Sequence, residues 1–215
     1  MIPRAWSAVI PVCARSEALY GSFQSAYESL GPEIPEIIVV ENGSDRLASV
    51  RKHWDPQPMG YARAVNAGLS KSDSKLALIL NSDAIVGTRD WMTPMEEIFM
   101  SDPKVGIVIP WLINDGEGEF TAQMVGACWA IRRSLVSQIG VLSEDYGAGY
   151  YDDNDLFIRA QDAGWKIKAC EGVRVVHAGK STFKELHTKE EIDALSSANY
   201  EKYVAKYGQR WATFD

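Results

Sequence analysis

The sequence predicts an α/β fold, one domain with a mostly parallel sheet flanked by helices. Short β-branched or apolar runs recur at residues 7–12, 36–40 and 76–80, and segments of helical spacing separate them. Acidic or amide side chains stand where the buried runs end, at Glu41-Asn42, at Asn81-Ser82-Asp83 and, further on, around Asp152-Asp153-Asn154-Asp155. An open parallel sheet binds its ligands at that edge.

The first unit is βαβ. Between the runs 7–12 and 36–40, Leu19, Phe23, Tyr27 and Leu30 share one helical face, and Gly31-Pro32 stops the helix. A helix over 60–69 leads into the strand 76–80, and a helix over 90–100 closes before Asp102-Pro103, because the residue before proline is pushed out of the helical region. Strands are expected at 105–111 and 124–131, with a helix near 133–139. A loop rich in Gly and Tyr precedes a helix over 153–163 that Gly164 ends.

Two short strands, 166–170 and 173–176, come next. Residues 178–187 show no periodicity and are expected to form a mobile loop. Thr188 with Glu191 three positions on is a capping box, opening a last helix whose apolar residues are Ile192, Leu195, Tyr200, Tyr203, Val204 and Tyr207 and whose stop is Gly208. Nothing repeats internally, and no Ser/Gly-rich linker marks a second domain.

A chain of 215 residues, 46% hydrophobic and 24% charged, can bury a sizeable core in one domain. Its net charge of -7 argues against a broad phosphate-binding face and so disfavours a nucleic-acid partner, although a local basic groove stays open. Cys13, Cys128 and Cys170 form no CxxC and leave an odd thiol in any pairing, which favours a reducing, cytoplasmic setting. The N-terminal residues do not read as a signal peptide, and no apolar run approaches the ~20 residues of a membrane span. Asn42-Gly43-Ser44 matches a glycosylation sequon by coincidence, since it lies in a candidate ligand loop.

The usual phosphate devices are absent: no GxGxxG follows a strand, and there is no GxxxxGK[ST]. A bound nucleotide would be held by other means. Asn42-Gly43-Ser44-Asp45 alone is a tight turn, and Asn81-Ser82-Asp83 alone is a common loop. Three acids at the start of a helix also satisfy its dipole, so one of them, Asp152 or Asp155, is expected to be the cap. His177, 24 residues beyond Asp153, stands between that helix and the aperiodic stretch.

In order and spacing, the strand ends Pro11-Val12 and Glu41, the tripeptide Asn81-Ser82-Asp83, the cluster Asp152-Asp153-Asn154-Asp155 and His177 together resemble the family 2 glycosyltransferases. These are inverting enzymes of the GT-A fold that move a sugar from a nucleoside diphosphate to an acceptor. The resemblance runs from about residue 8 to 183. It departs from the family pattern at Asn81, where a DxD motif would have its first acid, at Glu41, where Asp is usual, and at Asp152, where Glu is usual.

The resemblance implies one Rossmann-like GT-A domain over 1–215, with a nucleotide-binding half to about 110, an acceptor and catalytic half over 111–187 and a C-terminal helix over 188–208. It implies that Pro11, Val12, Ala14, Arg15 and Glu41 hold the nucleoside of a UDP-linked donor and that Asn66, Asn81, Ser82 and Asp83 face its ribose and diphosphate. Asp83 and His177 would ligate Mn²⁺ or Mg²⁺, Lys180 would reach the phosphates, and Ala127 and Cys128 would line the donor sugar. Asp152 and Trp129 would face the acceptor, with Asp153 the base that takes its proton. Trp129 reads equally well as a core residue. The partners implied are a nucleoside diphosphate sugar and an acceptor that is a saccharide, a protein or another hydroxyl. The rival functions are a non-catalytic sugar-nucleotide-binding protein and a nucleotidyltransferase, the second weakened because Cys13-Ala14-Arg15-Ser16-Glu17 lacks glycines.

Overall fold

The computed structural model describes residues 5–43, 52–55, 59–114, 118–179 and 181–215. Strand β1 (Trp6–Val12) is buried at every position, which is why it reads as a continuous apolar run rather than an alternating one. Its polar exception, Ser7, shares 2.8 Å hydrogen bonds with the hydroxyls of Ser72 and Ser74. Helix α1 (Glu17–Ser29) is capped by Ser16, whose hydroxyl accepts from the Leu19 amide, and it lays Leu19, Phe23 and Ala26 on the sheet.

Strands β2 (Ile37–Asn42) and β3 (Lys52–Asp55), helix α2 (Tyr61–Lys71) and strand β4 (Leu76–Leu80) complete the N-terminal half. Gly68 lets α2 lie directly on β1, since a Cβ there would stand 2.3 Å from Val9 Cγ1. The chain then forms β5 (Ala84–Val86), α3 (Met92–Ser101), β6 (Val105–Asn114), β7 (Thr121–Ala122), β8 (Cys128–Arg132) and α4 (Arg133–Ile139). The last elements are α5 (Asp152–Asp162), β9 (Lys166–His177), α6 (Ser181–Leu186) and α7 (Lys189–Tyr207).

Among the described residues one sheet runs β3-β2-β1-β4-β8-β6-β9-β5, with β7 on the edge of β6. The expected parallel pairing holds in the block β3-β2-β1-β4 and between β6 and β9. Strand β8 runs antiparallel to both β4 and β6, so the sheet as a whole is mixed.

Three local expectations are corrected. The two short strands expected over 166–176 are one strand, β9, with an irregularity: Pro110 faces Cys170 but Trp111 faces Arg174. Pro110 has no N–H to give the ladder, and the pairing slips there. The strand expected over 124–131 begins only at Cys128. The aperiodic stretch 178–187 contains α6, tied by Ser16 Oγ donating to Glu185 Oε2 (2.6 Å) on one side and by Phe183 against Tyr150 (5.2 Å between centroids) on the other.

The capping box of α7 forms as expected, Thr188 N donating to Glu191 Oε2 and Glu191 N to Thr188 Oγ1. Polar anchors hold this helix more than its apolar residues do. Asn199 is fully buried and its Nδ2 donates to Tyr146 O and Gly149 O, both at 2.7 Å. Asp155, also fully buried, accepts from Lys206 Nζ (2.6 Å), Tyr207 Oη (2.7 Å) and Arg159 Nε (2.6 Å).

Burial alone would raise the Asp155 carboxyl, but the donors Lys206, Tyr207 and Arg159 outweigh it and hold it below the usual value. A carboxyl depressed on folding contributes stability that is present above its unfolded pKa, about 3.9, and is lost as pH falls through the folded value. Asp155→Asn is therefore expected to cost about 2–3 kcal/mol in urea unfolding at pH 7, the scale of charged hydrogen bonds at a buried group. The gap to wild type should shrink as the pH is taken below about 4; a gap constant to pH 3 would contradict the anchor.

Candidate functional site

A cavity of about 1500 Å³ opens where β1, β4, β6 and β9 end. These strands run in one direction, so their last residues and the following loops meet at one edge of the sheet. Pro11 comes from β1, Asn81, Ser82 and Asp83 from the turn after β4, Asn114 from β6 and His177 from β9.

Cross-strand pairing sets the row that includes His177. It lies beside Ala84 of β5 on one side and Asn114 of β6 on the other. Its Nε2 is 3.3 Å from Asp83 Oδ1 and its Nδ1 is 3.0 Å from Asn114 Oδ1. The Ala178 amide donates to Asp83 O at 3.0 Å, which pins the Asp83 turn to the end of β9. Asn81, two residues before Asp83, lines the same cavity, and its Oδ1 is buried with no hydrogen-bond partner among the described residues. An orphaned amide oxygen in one cavity with a carboxylate and an imidazole is a donor set that suits a hard divalent cation. Among the described residues no three His, Cys, Asp or Glu side chains cluster as a closed metal cage. A cation here would take its remaining ligands from water and substrate, as Mg²⁺ commonly does.

The acidic pair is delivered by a strained turn. Tyr150 and Tyr151 both have left-handed backbones, with φ of 68° and 69°, a conformation that costs non-glycine residues of order 1–3 kcal/mol each. The surroundings enforce it: the Tyr151 ring contacts Tyr200, Tyr203 and Trp211, and the Tyr150 ring lies on Phe183. Helix α5 begins directly afterwards. Its N-cap is Tyr151, without a side-chain cap bond, so the cap expected of Asp152 or Asp155 does not form. Asp155 instead faces α7, while Asp152 and Asp153 line the cavity.

Gly126 packs against the Asp153 carboxyl; a Cβ there would stand 2.9 Å from Asp153 Oδ2. Tyr61 Oη donates to Gly126 O at 2.8 Å and holds that loop in place. Burial pushes both carboxyls up. For Asp152 the charge of Asp153 adds to burial and takes it to about 8; for Asp153 the backbone N–H groups of Asn154 and Gly126 pull partly back. Asp152 Oδ2 has no hydrogen-bond partner among the described residues. Burial thus favours the neutral form of each carboxyl, and the charge of either one opposes ionisation of the other. A helix N-terminus alone would lower both groups, and here desolvation outweighs it.

Other expected residues divide between wall and core. Arg15, Ala127 and Pro11 line the cavity, and Arg15 Nε donates to Gly43 O, joining the ends of β1 and β2. Val12, Ala14 and Glu41 are buried beneath it, Glu41 opposite Val12 in the β1–β2 ladder. Cys128 and Trp129 do not reach the wall: both are fully buried in β8, Trp129 edge-on to Phe157, and burial pushes the Cys128 thiol up. Asn66 is taken up in structure, its side chain bonded to both the N–H and the C=O of Leu142. Lys180 lies outside the described residues, whereas Lys184 of α6 lines the cavity.

The sequence reading missed Tyr61 and Trp211 as wall residues. Trp211 is 48% exposed and stacked on Tyr203 with 4.9 Å between ring centroids. Its only sequence signal is the spacing Tyr203, Tyr207, Trp211, which marks a helical face but not a cavity.

Comparison with known proteins agrees with this geometry. GalNAc-T7, solved with UDP, GalNAc and Mn²⁺, superposes with a TM-score of 0.67 at 15% identity over 81% of this chain and 43% of its own. The mannosyltransferase PcManGT from Pyrobaculum calidifontis, in complex with GDP-Man and Mn²⁺, gives 0.62 at 18% identity over 82% of this chain and 57% of its own. These likenesses establish the fold as GT-A. An uncharacterized protein of Sinorhizobium fredii, y4gI, is 23% identical along an alignment of 227 positions that covers 84% of this chain and 24% of that protein. This chain therefore spans about a quarter of the curated relative and about half of the solved ones. The family model for glycosyl transferase family 2 matches residues 7–135, more than half of the sequence, and the chain belongs to that family.

Proposed function

We propose that this chain transfers a sugar from a nucleoside diphosphate, UDP in the first instance, to an acceptor hydroxyl with inversion at the anomeric carbon. One observation carries the reading: the pair Asp83–His177 and the pair Asp152–Asp153 face a single cavity at the carboxyl edge of the sheet. The first pair suits a cation-bound diphosphate, the second a proton transfer.

Asp83 and His177 would hold Mn²⁺ or Mg²⁺, with Asn81 lining the same cavity; the cation would neutralise charge on the departing diphosphate. Arg15 and Lys184 offer further positive charge to phosphate oxygens. Asp153, ionised and held by two backbone amides, takes the proton from the acceptor hydroxyl as that oxygen attacks in line. Asp152, protonated, can donate to a sugar oxygen without adding a second negative charge.

Three measurements test this reading. Incubation with a panel of sugar nucleotides and nucleoside triphosphates, with Mn²⁺ and with EDTA, is expected to give metal-dependent hydrolysis or transfer from a sugar nucleotide, and uridine diphosphate should bind more tightly with metal. Pyrophosphate release from a triphosphate would indicate nucleotidyl transfer instead, and metal-aided binding without turnover would indicate a binding protein.

Asp153→Asn is expected to lower turnover by about two to four orders of magnitude while donor affinity stays near wild type. Loss of donor affinity in step with rate would reassign the residue. Gly126→Ala should also slow turnover, by about ten-fold or more, because the new methyl displaces the Asp153 carboxyl while leaving its chemistry intact. Steady-state kinetics showing an unchanged kcat would mean that the carboxyl's position is not critical.

A further inference from the structure

Four side chains form a row across the amino end of β5, the carboxyl ends of β9 and β6 and the loop after β7: Asp83, His177, Asn114 and Gln123. The row ends on backbone. Gln123 Nε2 donates to Leu112 O at 3.3 Å and to Thr121 Oγ1 at 3.2 Å. A carbonyl oxygen only accepts, so the amino side of the Gln123 amide must face Leu112 and its Oε1 must face outward. Gln123 Oε1 accepts from Asn114 Nδ2 at 2.7 Å, which turns Asn114 Oδ1 toward His177 Nδ1 at 3.0 Å. An amide oxygen again only accepts, so the ring hydrogen sits on Nδ1. The opposite orientation would set two acceptors, Gln123 Oε1 and Leu112 O, against each other.

We propose that Asn114 and Gln123 are positioning residues that fix the His177 tautomer, leaving the Nε2 lone pair aimed at the space it shares with Asp83 Oδ1. Two acceptor atoms 3.3 Å apart then face a common point, which a divalent cation satisfies. The proposal rests on the metal reading of the site. It adds that the histidine is set for the cation before any ligand arrives, by hydrogen bonds running back to the β6–β7 ribbon. The carboxylate that often orients a metal-bound histidine is replaced by two neutral amides in series.

The test uses two readouts on the whole chain. Long-range ¹H–¹⁵N spectra of ¹⁵N-histidine-labelled protein without metal, with the His177 signal assigned by its loss in His177→Ala, should show the Nδ1–H pattern in wild type and Asn114→Asp and its loss in Asn114→Leu. Mn²⁺ titrations with uridine diphosphate, read from the EPR signal of free Mn²⁺, should show a 10- to 100-fold weaker affinity for Asn114→Leu, a smaller loss for Gln123→Leu, and near wild-type affinity for Asn114→Asp, whose carboxylate still accepts from Nδ1–H. An Nε2–H pattern in wild type, or unchanged Mn²⁺ affinity in Asn114→Leu alongside a loss in His177→Ala, would overturn the proposal. Absence of Mn²⁺ binding by wild type, with the Nδ1–H pattern present, would overturn the metal reading and still support the tautomer assignment.

Discussion

The backbone at Tyr150 and Tyr151 is held where side chains seldom allow it to go, and the acidic end of the cavity depends on that constraint. Two consecutive left-handed residues turn the chain so that α5 starts at Asp152 with its first two carboxyls facing the cavity. Such a turn persists only when its neighbours over-determine it. Asn199 grips the carbonyls of Tyr146 and Gly149 on the approach, the Tyr151 ring is wedged among Tyr200, Tyr203 and Trp211, and Asp155 ties α5 to α7 one turn later. The C-terminal helix therefore acts less as a cover for a hydrophobic face than as a brace for a strained turn at the cavity. That explains why its buried residues are Asn199 and Tyr203 rather than a stripe of aliphatics.

The two ends of the cavity solve opposite electrostatic problems with similar means. Around Asp152 and Asp153 the fold removes water and lets one carboxyl stay protonated, so that two acids can stand together. Around Asp83 and His177 the strand ends bring a carboxylate, an imidazole and the neutral amide of Asn114 into a row, each within 3.3 Å of the next. Gly126 and Asn81 serve the same economy of space: one lacks a side chain where the Asp153 carboxyl needs room, and the other presents an oxygen that nothing in the described protein takes up.

Much of this was legible from local chemistry. The run Leu76 to Leu80 reads as a strand because all five positions are buried and apolar, and the capping box at Thr188 needs only residues three apart. Asp83, Asp153 and His177 were legible as site residues through the resemblance to the family 2 glycosyltransferases, and all three line one cavity. What escaped depends on contacts distant in sequence. Helix α6 has no periodic apolar face of its own and is held by Ser16 and Tyr150. Trp129 lies in the core and Trp211, for which the sequence held no cavity signal, lies on the wall, because β8 is covered on both faces whereas the chain after α7 returns along the cavity. The small residues at 126 and 127 suggested room for a sugar, yet at Gly126 the room is taken by the Asp153 carboxyl.

The slip in β9 has a consequence for what the sheet can tolerate. In the register set by Pro110 and Cys170, Asn114 would face Arg174; the irregularity advances β9 by three residues and places His177 there instead. Three is odd, and side chains alternate faces along a strand, so the same slip also decides which residues of the outer half of β9 look toward β5 and the cavity. The segment of Glu171, Gly172 and Val173 is thus a spacer of fixed count. A chain lengthened or shortened there by a single residue would turn Val173 and Val175 out of the core, and would exchange an imidazole for a neighbour of unrelated chemistry at the mouth of the cavity.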